Sequence, residues 1–190
     1  NTIRVSASNA AGTGTSPTIS VTRNSEAPLV TIDLPVSGLV TSLATVTVSG
    51  TIVDEPPITT ATLTVNGVVR MIEVAADNSF GETVKLLQGY NTIKITATDG
   101  KHEASSIISV TVDSEPPSVS ITFPPNNYIT SSNTVLVKGT IYDSSIAQAT
   151  LTHNGSDTPI AVSCGAFSQQ VTLRNGQNIV EVSAVDAAGN

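Results

Sequence analysis

The chain has 190 residues, of which 12% are charged and 3% aromatic, with no tryptophan and a formal net charge of −7. This acidic balance offers no basic stripe to neutralise phosphates, which argues against nucleic acid and anionic membrane surfaces as partners. A single cysteine, Cys164, cannot form a disulfide within the chain. No apolar run approaches the roughly 18 residues that a membrane-spanning helix needs, so we expect no membrane span in this segment.

The composition favours strands over helices. Val, Ile, Thr, Ser and Ala dominate the sequence, and β-branched residues suit a pleated, half-buried surface but lose rotamer freedom in a helix. Hydrophobic residues make up 39% of the chain and recur at regular spacing, so it can bury a core and is not expected to be disordered. These features predict an all-β protein.

The chain begins with a short piece that we interpret as an incomplete domain. Residues 1–22 read as the last two strands, F and G, of a preceding immunoglobulin-like sandwich. Asn1-Thr2-Ile3-Arg4-Val5 has the same pattern as Asn91-Thr92-Ile93-Lys94-Ile95, which lies one period later. Because the chain also starts without a methionine, we expect it to be a window on a longer precursor.

Residues 27–113 are predicted to form one complete sandwich. Apolar and polar residues alternate in its segments, which indicates antiparallel sheets with one wet face. Asn66-Gly67 supplies the positive φ angles of a two-residue hairpin turn, and we expect Phe80 to fill the core. The seven predicted strands, A to G, are 29–34, 44–53, 60–65, 68–74, 79–86, 91–98 and 105–112.

Residues 114–190 repeat this pattern and are predicted to lack the last strand. Gly50-Thr51-Ile52 recurs as Gly139-Thr140-Ile141, Asn66-Gly67 as Asn154-Gly155 and Phe80 as Phe167. The period of about 88 residues is the size of an immunoglobulin-like sandwich. The sequence therefore predicts tandem immunoglobulin-like antiparallel β-sandwiches with about seven strands each.

Neither terminal piece is a complete sandwich, and two explanations remain open. The chain is either a window on a longer array or a subunit whose neighbours complete it by strand exchange, head to tail, which would generate a filament. We favour the window, because the two ends share an F strand whereas simple complementation needs only the missing G strand.

A series of motifs resembles bacterial immunoglobulin-like tandem repeats. The order is Gly-Thr-Ile-x-Asp, Leu-Thr-Val-Asn-Gly, Phe, Gly-x-Asn-x-Ile/Val-x-Val and Ala-x-Asp-Ala-Ala-Gly-Asn, and it is similar to the domain B module of glucodextranase-like proteins. The loop that starts at Asp99 departs from the last motif, and Asn9 replaces its Asp in the first piece. The resemblance implies an immunoglobulin-like fold in surface proteins such as adhesins and filaments, or in non-catalytic appendages of polysaccharide-degrading enzymes.

Acidic residues gather where one unit is expected to follow another. The B–C and F–G loops lie at the end of the sandwich where strand A begins, and the linker arrives at that same end. Crowded carboxylates repel unless a cation lies between them, and Ca²⁺ accepts six to eight oxygens. We therefore predict Ca²⁺ at the second junction, which leads into the last unit, and a weaker site at the first junction, which leads into the middle unit. The predicted ligands are Asp113, Glu115, Asp143 and Asp186 at the second junction, and Glu26, Asp54 and Asp99 at the first.

The alternative to calcium binding is that these acids are solvated loop residues, with Asp113 and Asp143 capping turns.

The remaining candidate residues do not form a recognisable catalytic or metal-binding motif. Cys164 reads as a lone strand-edge thiol, and His102 and His153 do not recur in register. No phosphate-binding loop, serine elbow or pair of catalytic acids is visible, so we predict that the chain is not an enzyme.

The sequence favours a structural function. Stacked sandwiches joined by short linkers that contain proline make a stiff rod, and we expect this chain to be part of an extracellular or cell-surface stalk, adhesin or filament. Its partners would be neighbouring repeats of the same chain and other copies in a fibre. The alternatives are a carbohydrate-binding or accessory module of a secreted polysaccharide-degrading enzyme, with Tyr128 or Tyr142 as contacts, and direct adhesion through a terminal domain.

Overall fold

The computed structural model describes residues 1–21 and 23–190. All the regular secondary structure in these residues is β-strand. A helix long and apolar enough to cross a membrane does not occur in them. The strands are, in chain order, β1 Thr2–Ile3, β2 Ser6–Asn9, β3 Gly12–Thr15, β4 Ile19–Ser20, β5 Leu29–Leu34, β6 Leu39–Thr41, β7 Thr45–Val53, β8 Thr60–Val65, β9 Val68–Glu73, β10 Ser79–Lys85, β11 Gly89–Thr98, β12 Glu103–Val112, β13 Ser118–Phe123, β14 Thr134–Tyr142, β15 Ile146–His153, β16 Ser156–Pro159, β17 Ala166–Thr172 and β18 Val180–Asp186.

The first four strands form a long antiparallel hairpin. β1 pairs with β4, and β2 pairs with β3. All four strands are exposed along their whole length. This hairpin occupies the predicted F and G strands of a preceding unit, although Thr22, the last residue of that predicted piece, lies outside the described residues.

The middle strands form two sheets around a common core. One sheet has the order β10-β7-β5 and the other β6-β12-β11-β8-β9. Side chains from both sheets share one hydrophobic cluster, in which Val48 and Ile52 from the first sheet meet Leu63 and Ile93 from the second, all 0% exposed. Two facing sheets with one core between them confirm the predicted all-β, immunoglobulin-like sandwich.

Buried and partly exposed side chains alternate along β11, as the sequence pattern predicts. Ile93, Ile95 and Ala97 are at most 1% exposed, whereas Lys94 and Thr96 between them are half-buried. Successive side chains of a strand point to opposite faces, and β11 is covered on both edges because it lies between β8 and β12.

The middle unit contains one strand more than the seven predicted. β6 was not predicted; its three residues pair in parallel with the end of β12 and extend the larger sheet. Three residues are too few for an alternation of polar and apolar residues to indicate a strand. β9, the fourth of the predicted strands, pairs with β8 in the larger sheet, as expected from the predicted hairpin turn at Asn66-Gly67, where both residues have positive φ angles.

The last strands repeat this arrangement with smaller sheets. Their orders are β13-β14-β17 and β16-β15-β18. Within the described residues, β18 pairs only with β15, and its inward residues Val180, Val182 and Ala184 are half-buried. The equivalent residues of β11 are fully buried, and β12 pairs along the edge of β11 that has no neighbour in β18, so the uncovered edge accounts for the difference. The division of the chain at residues 22, 27, 113 and 190 stays a prediction.

An asparagine at the start of each F strand fastens the preceding loop. Asn91 is 0% exposed; its Oδ1 accepts hydrogen bonds from Leu87 N–H and Asn66 Nδ2, and its Nδ2 donates to the carbonyls of Leu87 and Gly89. Asn178 makes the same set of bonds with Arg174, Gly176 and Asn154. A buried amide with all its groups satisfied fixes the backbone around it.

A glycine on the B strand lies beneath a phenylalanine on the E strand. Gly50 pairs with Phe80 and Gly139 with Phe167 across neighbouring strands, and both rings are only 4% exposed. A Cβ added at Gly50 would overlap the Thr31 carbonyl and the Phe80 ring. The recurring glycine is therefore required by close packing against the ring and the neighbouring strand.

We expect Gly50→Ala to destabilise the middle unit by about 1–3 kcal/mol, because the added methyl overpacks a closed contact. Gly81→Ala is the matched control, since a Cβ there meets no atom within 4 Å, and we expect it to change stability by less than about 0.5 kcal/mol. Urea unfolding of the two variants measures the difference. Equal midpoints would contradict this account of the glycine.

Candidate functional site

Three acidic residues from separate segments meet at the second junction. Asp113 follows β12 in the linker, Asp143 follows β14, and Asp186 ends β18. Each contributes one carboxylate oxygen to a group whose members lie within 4.8 Å of one another. Asp186 is 2% exposed, and the other two are half-buried. We call these three residues the carboxylate trio.

Local turns hold each carboxylate in place. Asp113 Oδ1 accepts from the Glu115 N–H at 3.3 Å and Asp143 Oδ1 from the Ser145 N–H at 2.7 Å. These are the turn-capping bonds of the solvated-loop alternative. Both bonds end on the Oδ1 oxygen. The Oδ2 oxygen of each residue could therefore bind a cation while the turn stays capped.

Hydrogen bonds also join the three segments to one another. Ser144 Oγ donates to Asp113 Oδ2 at 3.0 Å, which connects the loop after β14 to the linker. Asn190 Nδ2 donates to the Asp113 carbonyl at 2.7 Å and to Asp186 Oδ2 at 2.8 Å. The Ala187 N–H donates to the Ser145 carbonyl at 2.8 Å. The linker is therefore anchored to both loops by its first residue.

The hydrogen bonds around Asp186 favour its ionised form. Burial raises the pKa of Asp186, but hydrogen bonds from the Asn190 side chain and from the backbone N–H groups of Asn190 and Ala188 outweigh it and hold the pKa below its usual value. No lysine or arginine forms an ion pair with the trio in the described part of the chain. Like charges this close repel one another unless a positive charge is shared between them.

The spacing of the trio suits a calcium ion. Ca²⁺ binds oxygen ligands at about 2.3–2.6 Å, so two oxygens on opposite sides of one ion lie roughly 5 Å apart. The three carboxylate oxygens already satisfy this limit, with separations of at most 4.8 Å. The arrangement would offer a cation three ligands, and waters and backbone carbonyls would complete the coordination.

Not every predicted ligand belongs to the trio. Glu115 is exposed and lies outside this group; its backbone N–H, rather than its side chain, contributes to the junction. Asn190 and Ser144 were not singled out in the sequence, although Asn190 closes the Asp-Ala-Ala-Gly-Asn motif. Their bonds depend on loops that meet only in the folded chain, and metal binding by the predicted residues stays a prediction.

The first junction brings its residues together in a different way. Asn24 Nδ2 donates to Asp54 Oδ1 at 3.2 Å and to Asp99 Oδ2 at 3.0 Å. His102 Nδ1 also lies 3.0 Å from Asp99 Oδ2. Glu26 is exposed, and its N–H donates to Asn24 Oδ1. An amide side chain therefore joins two of the predicted ligands, Asp54 and Asp99.

Asp99 is held as a carboxylate by its own loop. The backbone N–H of His102, the His102 side chain and the N–H of Lys101 lower the pKa of Asp99 to about 2. Its side chain is 6% exposed. Asp99 therefore stays ionised down to strongly acidic pH and gives Asn24 a charged acceptor.

The remaining residues considered from sequence lie apart from the junction trio. Cys164 is exposed in a turn with φ of 49°, and His153 lies 3.1 Å from Asn178 Oδ1. The three tyrosines are all exposed. Tyr90, Tyr128 and Tyr142 are 70%, 46% and 63% exposed.

The chain is similar to known proteins over most of its length. The family model for glucodextranase, domain B, matches residues 28–115 and 117–190. Bacillopeptidase F of Bacillus subtilis (strain 168) is 34% identical over 120 residues, which cover 62% of this chain and 8% of that protein. This chain thus corresponds to a small fraction of that relative's length.

A solved structure supports the fold. The fibronectin(III)-like modules of Clostridium thermocellum CbhA share 19% identity with this chain at a TM-score of 0.53, covering 85% of this chain and 87% of that one. At this identity the likeness shows the sandwich fold alone. The two consecutive family matches cover both sandwich units, and this chain belongs to the glucodextranase domain B family.

Proposed function

We propose that this chain is a non-catalytic structural repeat that acts as a stiff spacer in an extracellular bacterial surface or filament protein. The linker supports this proposal. β12 ends at Val112 and β13 begins at Ser118, and the short segment between them includes Pro116 and Pro117. A short proline-containing linker leaves little freedom between units, and the Asn190 bond to the Asp113 carbonyl reduces it further.

The side-chain chemistry also supports a non-catalytic function. Both histidines are engaged with polar side chains, His102 with Asp99 and His153 with Asn154 and Asn178. A catalytic nucleophile would need a base within hydrogen-bond reach, and neither histidine has a serine or cysteine among its hydrogen-bond partners in the described residues.

A calcium ion at the second junction would complete the spacer. The observation that carries this part of the proposal is the convergence of three carboxylate oxygens within 4.8 Å. An ion shared by Asp113, Asp143 and Asp186 would link the linker to both loops and remove their mutual repulsion. Extracellular calcium modules bind with dissociation constants of about 10⁻⁴–10⁻³ M, which suits a small ligand set and a location outside the cell.

A carbohydrate-binding or accessory module is the second candidate. The exposed rings of Tyr90 and Tyr142 favour it, since an exposed aromatic face is a ready surface for apolar contact. Within the described residues, however, the one close aromatic pair is Phe123 with Tyr128, in an edge-on arrangement at 5.2 Å. The rings of Tyr90 and Tyr142 are not part of a close aromatic pair in the described residues, whereas the linker contacts directly favour the structural repeat.

Calcium is expected to bind and stabilise the last unit. At 10 mM Ca²⁺ and a dissociation constant of 0.1–1 mM, linkage gives about 1.4–2.7 kcal/mol of stabilisation. Asp143→Asn should abolish the effect, because the amide keeps the Oδ1 acceptor of the turn but loses the charge. Calorimetric titration and thermal unfolding with and without calcium measure both quantities.

Glu115→Gln is the matched control for this titration, since Glu115 is exposed and outside the trio. It should bind calcium as the parent chain does. Absence of calcium binding by the parent chain at millimolar concentration would refute the calcium proposal. Loss of binding in Glu115→Gln would show that Glu115 is itself a ligand, which would contradict a site formed by the trio.

The chain is also expected to be elongated in solution. A compact globule of this length would have a radius of gyration of about 16 Å, and a rod of sandwiches should exceed this value clearly. Small-angle X-ray scattering measures the radius directly. A value near that of the globule would exclude the spacer function even if calcium binds.

A further inference from the structure

The two junctions place different residues at the same structural position. Asn24 and Asp113 lie at matching positions of the two linkers, since each accepts a backbone hydrogen bond from the residue two positions on, Glu26 at 3.1 Å and Glu115 at 3.3 Å. Asp54 and Asp143 each follow a B strand; Asp99 follows the F strand of the middle unit, and Asp186 ends that of the last unit. The first junction thus has two carboxylates and one amide where the second has three carboxylates.

The amide does at the first junction what a cation would do at the second. Asn24 Nδ2 carries two hydrogens, and it donates to Asp54 Oδ1 and Asp99 Oδ2. Each bond has a charged acceptor, which makes it stronger than a neutral pair. The two acids are therefore joined through an uncharged donor that belongs to the linker itself.

We propose that the residue at this linker position decides whether its junction needs a metal ion: Asn24 makes the first junction independent of cations, and Asp113 makes the second dependent on them. This inference rests on the proposed calcium binding at the trio. It predicts that one chain contains a joint that is stiff at all calcium concentrations and another whose stiffness follows calcium.

One carboxylate oxygen at the first junction is left without a hydrogen bond. Asp54 Oδ2 is buried and has no hydrogen-bond partner, so it is the oxygen that a metal ion would use if one entered. With Asn24 present, its Nδ2 lies between the two acids, 3.2 Å from Asp54 Oδ1 and 3.0 Å from Asp99 Oδ2. Replacing that amide by a carboxylate would remove the donor and add a third negative ligand.

Calcium titration of the full chain tests the proposal through reciprocal variants. The parent chain should bind one ion, Asn24→Asp two, and Asp113→Asn none. Asn24→Ala is the control, because it removes the amide without adding charge and should still bind one ion. A parent chain that binds two ions, or an Asn24→Asp variant that gains none, would overturn the proposal.

Thermal unfolding in a chelator separates this proposal from the proposed function. Without calcium, Asp113→Asn should unfold at a higher temperature than the parent chain, because it removes one of three like charges and supplies a donor. Asn24→Asp should unfold at a lower temperature for the opposite reason. This order is expected even if the parent chain binds no calcium, and the reverse order would refute the amide bridge.

Discussion

Repulsion among carboxylates at the entry to the last sandwich is the constraint on which the account depends. Asp113, Asp143 and Asp186 come from a linker and two loops, yet their oxygens lie within 4.8 Å of one another. Hydrogen bonds from Ser144 and Asn190 hold them there, and those donors are uncharged. The free energy of bringing three negative charges together is best offset by a shared cation, which would make the linker part of the fold that follows it.

The sandwich framework is what brings these loops to one end. The asparagine that starts each F strand fixes the loop before it, and the glycine beneath each phenylalanine sets the approach of the B and E strands. The sequence between these fixed points can then vary. At the first junction the same framework presents an amide and a histidine in place of a third carboxylate, so the two junctions share a geometry but differ in charge.

Much of the fold could be predicted from the chain because its signals are local or repeated. Alternation identified β11 and its buried face, the Asn-Gly pairs located the hairpins, and the recurring Gly-Thr-Ile and Phe residues set the register. β6 was missed, since three residues carry no period and its pairing with β12 is parallel and distant in sequence. At the site, strand topology was enough to bring the trio together. It was not enough to place Glu115 outside the group or to give Asn24 and Asn190 their bonds, because those depend on side-chain directions in loops.

The most direct measurement is a crystal structure of the chain grown with calcium, with diffraction data collected at a wavelength where calcium scatters anomalously. The account predicts one anomalous peak at the second junction, with oxygens of Asp113, Asp143 and Asp186 about 2.3–2.6 Å from it, and none between Asp54 and Asp99. A well-ordered junction with water at the centre of the trio, or a peak at the first junction alone, would contradict it.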